Sequence, residues 1–333
     1  MALSTDRDRI PVRAATGDLV ERFTEGHLRA LARAITLVEN EAPGYRELLG
    51  RLYGSAGRAK KVGITGATGA GKSTLVDELT KRLLSRGRSV GIIAVDPSSP
   101  FTGGALLGDR VRMQDVGLQK DVYIRSMASR GSLGGLARAT REVSIVLDAF
   151  GKDYILIESV GVGQVALDIA DVVDTTVVVL VPESGDSVQA MKAGLMEIAD
   201  IFVINKADLT GADRLELELN SHLELQRGRH GWDYPVIKTR ARSGQGIDEL
   251  LEQIDRQEEH LARTGYLEKK RMHLVRAEVL QLLSETITKK VRQRLDAGGD
   301  LETAVADILG GRLNPYQAVD RLLERAEGAG SNG

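Results

Sequence analysis

Gly66-Ala67-Thr68-Gly69-Ala70-Gly71-Lys72-Ser73 is the stretch that decides the fold, because it matches the G-x-x-x-x-G-K-[ST] pattern of a loop that wraps nucleotide phosphates. Glycines in such a loop allow positive φ angles, so the backbone N–H groups can turn toward one anion. Lys72 adds a positive charge, the following helix brings its positive end, and Ser73 offers a hydroxyl to Mg²⁺. Residues Gly66 to Thr74 are therefore expected to bind nucleotide phosphates.

The regions around this loop predict an α/β fold of the P-loop NTPase type. Short apolar runs alternate with helix-like segments, which is typical of a mostly parallel central sheet covered by helices. Ligands of such sheets bind beyond the carboxyl ends of the strands, so the following loops are expected to hold the chemistry. The predicted strands are Lys61 to Thr65, Ser89 to Val95, Val122 to Ser126, Tyr154 to Ser159, Thr176 to Val181, Ile201 to Asn205 and Pro235 to Thr239.

Helical extensions flank this sheet on both sides, so we expect three regions: residues 1–54, a P-loop domain at 55–264, and a C-terminal arm at 265–333. Helical spacing of apolar residues predicts a helix from Thr24 to Asn40. Gly265 to Leu295, as one helix, would extend about 45 Å, longer than a compact domain needs. This length favours a homodimer through the C-terminal helices over a helix folded back on its own domain. Asn314-Pro315 predicts a further helix start.

The sequence Asn205-Lys206-Ala207-Asp208, at the end of a predicted strand, indicates which base is bound. An aspartate there can accept hydrogen bonds from the N1–H and 2-amino groups of guanine, which adenine lacks. Each missed bond costs roughly 1 to 3 kcal/mol. Ala241, after the last strand, is a further candidate, since its backbone N–H could reach the guanine oxygen.

Carboxylates after two other strands predict a magnesium and catalytic region. Glu158, three residues before Gly161, occupies the place where many GTPases have an aspartate near Mg²⁺. Asp96 and Asp109 are further candidate ligands beside Ser73, because Mg²⁺ prefers oxygen ligands. We expect Lys72, Asp96, Glu158 and Gly161 to act in catalysis. Val162 stands where Ras-type GTPases carry a glutamine that orients water, so slow unaided turnover is expected.

Composition limits the partners of the chain. Its 45 basic and 47 acidic residues give a formal net charge of −2, so neither nucleic acid nor a membrane surface is expected as a partner. No cysteine is present, which excludes disulfides and thiolate metal sites. The N-terminus lacks an apolar signal core, and no apolar run approaches the ~20 residues that span a bilayer. We therefore expect a cytoplasmic protein.

With these residues placed, the chain resembles the MeaB/ArgK family of methylmalonyl-CoA mutase-associated GTPases, which includes the human MMAA protein. The resemblance implies a GTPase that uses GTP/GDP and Mg²⁺ and acts as chaperone of a cobalamin-dependent acyl-CoA mutase, gating adenosylcobalamin loading and protecting the mutase. It also implies the homodimer and three switch segments, at residues 96–113, 158–164 and 182–192. The segments that carry it are GATGAGKST, VDPSSPFTGGALLGDRVRM, ESVGVGQ, VPESGDSVQAMKAG, INKADL and RLNPYQAVDRLL.

Other functions remain open at this point. A P-loop ATPase or kinase linked to amino-acid transport is one alternative, although Asp208 argues for guanine. A metallochaperone GTPase is another, disfavoured by the missing cysteines and by five scattered histidines. A nucleotide-dependent scaffold without turnover is the third.

Overall fold

The computed structural model describes residues 12–96, 114–117, 119–128, 135–159, 169–182, 195–225 and 231–328. The chain divides into two compact units, one ending at Lys270 and the other beginning at Arg271. The domain boundaries expected from the sequence, at residues 54 and 264, stay predictions.

The first unit is built on a parallel sheet of seven strands in the order β3-β2-β4-β1-β5-β6-β7. All seven predicted strands are confirmed, with ends shifted by at most two residues. β-Branched residues favour them, as in the fully buried Thr-Thr-Val-Val-Val-Leu run of β5. The strands are β1 (Lys60–Gly66), β2 (Val90–Asp96), β3 (Val122–Ala128), β4 (Tyr154–Ser159), β5 (Thr175–Leu180), β6 (Ile201–Asn205) and β7 (Val236–Thr239).

Helices cover both faces of this sheet. On one face, α4 and α9 bury apolar side chains such as Leu75 and Leu250 against the strands. On the other face, α1, α2, α3 and α6 pack as one cluster, and α7 and α8 form a second. The helices of this unit are α1 (Val12–Thr24), α2 (Leu28–Glu39), α3 (Tyr45–Leu52), α4 (Lys72–Ser85), α5 (Gln114–Gly117), α6 (Gly135–Ala149), α7 (Leu195–Ile198), α8 (Ala212–Leu225), α9 (Ile247–Arg263) and the start of α10 (Tyr266–Gly298).

The helix predicted from Thr24 to Asn40 is wrong at its start. The chain turns between α1 and α2, where Gly26 has a φ of 83°, so α2 begins only at Leu28. The preceding helix α1, which the sequence analysis did not predict, buries Leu19 and Phe23 one turn apart.

The second unit consists of the rest of α10, α11 (Asp300–Leu309) and α12 (Pro315–Gly328). The long helix is confirmed: α10 has 33 residues, or about 50 Å. The predicted start at Asn314 is also confirmed, since its Oδ1 accepts the Gln317 N–H at 2.9 Å while the Gln317 side chain accepts the Asn314 N–H at 3.1 Å. Large apolar side chains are exposed on all three helices, among them Val279, Ile287 and Tyr316.

Candidate nucleotide site

The phosphate loop, residues 66–73, joins β1 to α4 in a conformation that two of its glycines make possible. Gly66 has a φ of 144°, and a Cβ there would lie 2.1 Å from the Val179 carbonyl oxygen. Gly71 has a φ of 87°, and a Cβ there would lie 2.4 Å from Nδ2 of Asn205. A side chain at Gly66 would therefore press on the β5 backbone, and one at Gly71 would displace the Asn205 side-chain amide.

Lys72 is the first residue of α4 and is 6 % exposed. Its Nζ donates hydrogen bonds to the carbonyl oxygens of Gly66 and Ala67, both at 2.9 Å, so the ammonium group lies across the loop. Burial lowers the pKa of Lys72, and the nearby Glu158 carboxylate opposes this shift. A desolvated ammonium held by neutral carbonyls is suited to bind an incoming phosphate.

Ser73 and Glu158 meet beside the loop. The Ser73 hydroxyl donates to Oε1 of Glu158 at 2.6 Å, and Glu158 is 5 % exposed on β4, which pairs with β1. A hydroxyl and a carboxylate are ligands that Mg²⁺ accepts, usually together with waters and nucleotide phosphates. In the described ranges no group of three or more His, Cys, Asp or Glu could hold a metal alone. The pair fits a magnesium ion that the nucleotide itself helps to bind.

Asn205, the last residue of β6, links the phosphate loop to the loop after β7. Its Nδ2 donates to the Ala70 carbonyl at 2.8 Å. Its Oδ1 accepts the Thr239 hydroxyl at 3.0 Å and the Ala241 N–H at 3.1 Å. The Ala241 N–H is thus already paired, so a contact with the guanine oxygen requires that it be shared or released. Asn205 was predicted in the site from the N-K-x-D pattern, but no local pattern contains this linking contact.

A cavity of about 720 Å³ connects the two parts of the site. Gly69, Gly71 and Thr74 line it on the side of the phosphate loop. Asn205, Lys206, Asp208 and Leu209 line it on the other side, together with the segment from Arg240 to Ser243. Its volume is within the usual range for a small-molecule site, and its lining includes both the phosphate loop and the exposed Asp208.

The remaining expected site residues are only partly placed. Asp96 ends β2 and pairs in register with Ala128, but its side chain is outside the description. Asp109 and Gly161 lie outside the described residues, as do Val162 and almost all of the three switch segments. Their roles stay predictions.

Comparison with known proteins places this site in a family. The family model for the methylmalonyl-CoA mutase-associated GTPase MeaB matches residues 31–296. The chain belongs to the MeaB family. Family members named as GTPases bind guanine nucleotides, which agrees with the joint presence of the phosphate loop and Asp208. MeaB membership also gives the chain the fold of a nucleotide hydrolase, and confirms the family resemblance found in the sequence.

Relatives of this MeaB family member cover nearly its whole length. A putative GTPase of Pyrococcus abyssi is 49 % identical over 94 % of this chain and 97 % of its own. The mouse mitochondrial methylmalonic aciduria type A homolog is 35 % identical over 97 % of this chain and 81 % of its own. The crystal structure of an LAO/AO transport system kinase has a TM-score of 0.71 at 26 % identity, covering 98 % of this chain and all of that one.

None of the described helices is both long and apolar enough to cross a membrane.

Proposed function

We propose that this MeaB family member is a GTP-hydrolysing chaperone of a cobalamin-dependent acyl-CoA mutase of the methylmalonyl-CoA mutase type. It would gate adenosylcobalamin loading and protect the mutase. The observation that carries the GTPase part is the cavity that joins the phosphate loop to Asp208. The mutase part is supported by the family description and by the mouse relative named for methylmalonic aciduria.

In this proposal one set of residues binds the phosphates of the nucleotide and another binds its base. The backbone N–H groups of residues 66–73 and the Lys72 ammonium bind the phosphates, and Asp208 accepts the guanine N1–H and 2-amino groups. Lys72 would exchange its bonds to the Gly66 and Ala67 carbonyls for phosphate oxygens, which a desolvated cation favours. The Lys72 ammonium is therefore already held against the loop before a nucleotide binds.

Ser73 and Glu158 would hold Mg²⁺, with Asp96 and Asp109 as further candidates. When bound, the ion supplies positive charge that offsets the charge on the phosphate oxygens. Glu158 also keeps the Ser73 hydroxyl oriented by accepting its hydrogen bond, with 2.6 Å between the two oxygens. Asp96, Glu158, Gly161 and Lys72 stay the proposed catalytic residues, and slow turnover without a partner stays part of the proposal because Val162 cannot orient a water.

Self-association is the second part of the proposal. The exposed apolar residues of α10, α11 and α12 suggest a homodimer through these helices. We also propose that the protein is cytoplasmic and that its client is a protein, with neither nucleic acid nor a membrane as partner.

Replacing Asp208 by Asn tests the base assignment. The change turns one acceptor into a donor, so GTP affinity should fall roughly tenfold or more, with ATP affinity unchanged. Isothermal titration calorimetry measures both, and Asp213→Asn, an exposed carboxylate outside the cavity, is the control. Equal binding of ATP and GTP by the unmodified protein would overturn the assignment.

Hydrolysis measured with and without candidate cobalamin mutases tests the client. We expect stimulated turnover and a nucleotide-dependent complex with one of them. A protein that hydrolyses GTP but neither binds nor responds to any such mutase would disprove the chaperone role and leave the GTPase intact.

A kinase or ATPase linked to amino-acid transport is the alternative, favoured by the name of the transport system kinase whose fold this chain shares. It requires ATP binding, so the calorimetry above distinguishes it. A metal-inserting GTPase gains no support from the described residues, where no group of three metal-binding side chains occurs.

A further inference from the structure

Two adjacent residues at the end of β4 contact the two ends of the phosphate loop. Glu158 accepts a hydrogen bond at 2.6 Å from the hydroxyl of Ser73, the last residue of the loop. Ser159 donates its hydroxyl at 2.8 Å to Oγ1 of Thr65, the residue on β1 that precedes Gly66. Each end of the loop is therefore hydrogen-bonded to one residue of the same dipeptide.

These two contacts lie on opposite faces of the sheet, because successive side chains of a strand point to opposite faces. Leu156, two residues before Glu158, packs in the core under α4 and α9. Ile157, two residues before Ser159, packs in the core beneath α1, α2, α3 and α6. The end of β4 is thus held on both faces, and it cannot rotate about its own axis without breaking one of the two bonds.

The pair formed by Thr65 and Ser159 is polar, although its neighbours in the sheet are apolar. Both residues are fully buried, and they pair in register with the buried Val178 on β5 and the buried Val95 on β2. Two apolar side chains would pack here without needing a hydrogen bond, whereas buried hydroxyls cost free energy unless they are bonded. What the hydroxyls add is direction, since a hydrogen bond fixes a distance and an angle and apolar contacts do not.

The contact between Ser73 and Glu158 is not a constant restraint on the Glu158 carboxylate. Both groups are proposed ligands of Mg²⁺, so the bond between them changes when the ion binds. Thr65 and Ser159 are not among the proposed ligands, and their bond can persist with the ion bound. It is therefore suited to hold the end of β4 against β1 in both states.

We propose that the hydrogen bond between Thr65 and Ser159 positions the Glu158 carboxylate for Mg²⁺, and so determines how strongly the metal increases nucleotide affinity. The inference rests on the proposed nucleotide and magnesium site. Thr65 and Ser159 are positioning residues, since they act through Glu158 and through the phosphate loop. Without their bond the end of β4 is free to shift relative to β1, and the carboxylate is no longer preorganised beside Ser73.

The test variant is Thr65→Val, which keeps the shape of the side chain and removes its hydroxyl. Isothermal titration calorimetry measures GDP affinity in excess Mg²⁺ and in EDTA, and the ratio of the two affinities gives the contribution of the metal. Thr65→Val should lower this ratio about fivefold, the value of one neutral hydrogen bond, and leave affinity in EDTA within about twofold. Thr65→Ser keeps a hydroxyl and should restore most of the ratio.

The matched control is Thr175→Val, the same substitution at the amino end of β5, where the buried Thr175 hydroxyl donates to Gln257 at 2.6 Å. It should lower stability and keep the wild-type ratio. The double variant Thr65→Val/Ser159→Ala separates positioning from stability, because replacing both partners by apolar groups can be nearly neutral for folding. Its resistance to urea should return toward wild type while its ratio stays low.

The outcomes distinguish this inference from the proposed function. A wild-type ratio of one would overturn the proposed magnesium site and the inference with it. A wild-type ratio well above one that Thr65→Val leaves unchanged overturns the inference alone. So do equal losses in Thr65→Val and Thr175→Val, or a double variant that regains both stability and the ratio, because either would reduce the bond to a general contribution to folding.

Discussion

The two ends of the central sheet carry cavities of similar size but opposite character. At the carboxyl end, the cavity of about 720 Å³ is lined by the exposed Lys206, Arg240 and Arg242, which form no ion pair within the described part of the chain, and by an exposed carboxylate, Asp208. At the amino end, a cavity of about 790 Å³ is lined by charged groups that mostly have partners, such as Lys60 with Asp255 and Arg88 with Asp153. Volume therefore does not distinguish a candidate site from a structural cleft, whereas the pairing of charges does.

The amino end shows this pairing in detail. Asp148 accepts the backbone N–H groups of Gly57, Arg58 and Ala59 at 2.8 to 3.0 Å. Asp255 accepts the Lys60 ammonium at 2.9 Å and the Tyr154 hydroxyl at 2.7 Å. Groups satisfied in this way stabilise the fold and have little capacity left for a ligand. The difference predicts that substitutions at the amino end change stability, while those at the carboxyl end change nucleotide affinity.

Asp148→Ala should give the largest effect. The variant leaves three backbone N–H groups and the Lys61 ammonium, 3.6 Å away, without their shared carboxylate, so the free energy of unfolding should fall by about 3 to 5 kcal/mol. Urea denaturation measures the loss. Asp18→Ala is the control. It removes an exposed carboxylate that forms an ion pair with Arg22 within α1, and it should cost less than about 0.5 kcal/mol. A loss below about 1 kcal/mol would contradict this reading of the amino end.

Lys72→Met should give the next largest effect, and Lys152→Met is its counterpart at the amino end. Burial lowers the pKa of both lysines, and each donates to backbone carbonyls, Lys152 to Asp121 at 2.9 Å. Only Lys72 lies in the phosphate loop. Lys72→Met should weaken GTP binding roughly 30- to 150-fold, the value of a charged hydrogen bond of about 2 to 3 kcal/mol. Lys152→Met should leave affinity within about twofold, as measured by calorimetry. Equal losses in the two variants would refute the contrast between the ends.

The two ends also differ in how far sequence could predict them. The seven strands were predicted because a parallel strand buried on both faces requires a continuous apolar run, as β5 shows. The phosphate loop was predicted because Gly66 and Gly71 occupy positions where a Cβ would clash with a neighbouring residue. Only glycine fits there, so the requirement is visible as a fixed spacing of glycines in the sequence. The helix α10 was predictable from its composition, and the cap at Asn314 from a hydrogen bond between residues three apart. Both signals are local in the sequence.

Contacts between distant segments were not predictable in the same way. Asn205 reaches Ala70 across 135 positions of sequence, and Asp148 reaches Gly57 across 91, so no local pattern contains either contact. The break at Gly26 was missed because apolar spacing shows which face of a helix is buried but not where its first turn begins. Ser73 and Glu158 were expected near one metal ion, and the structure brings them within 2.6 Å, but that role remains a prediction.

Asn205→Ala should give an intermediate effect on both stability and affinity, because Asn205 is buried and structural yet lies at the carboxyl end. Its loss removes the bonds that connect the phosphate loop with the segment after β7, and leaves the Ala241 N–H unpaired. We expect unfolding free energy to fall by about 1 to 2 kcal/mol and GTP affinity to fall roughly tenfold. Asn40→Ala, at an exposed helix end, is the control for both measurements. Lower stability with unchanged affinity would show that the two loops are positioned independently.

Tyr154→Phe should give the smallest effect, and its pH dependence tests the amino end most directly. Burial and the hydrogen bond to Asp255 raise the pKa of Tyr154 from 10.0 to about 12, so the fold favours the neutral phenol. Its stabilising contribution is fully present below pH 10.0 and is lost as pH rises toward about 12, because the unfolded chain loses its proton first. Wild type should therefore exceed Tyr154→Phe in unfolding free energy by about 1 kcal/mol at neutral pH. The difference, followed by urea denaturation, should shrink only above pH 10.0. A difference that shrinks at lower pH would mean that the hydroxyl ionises freely and that Asp255 depends on Lys60 alone.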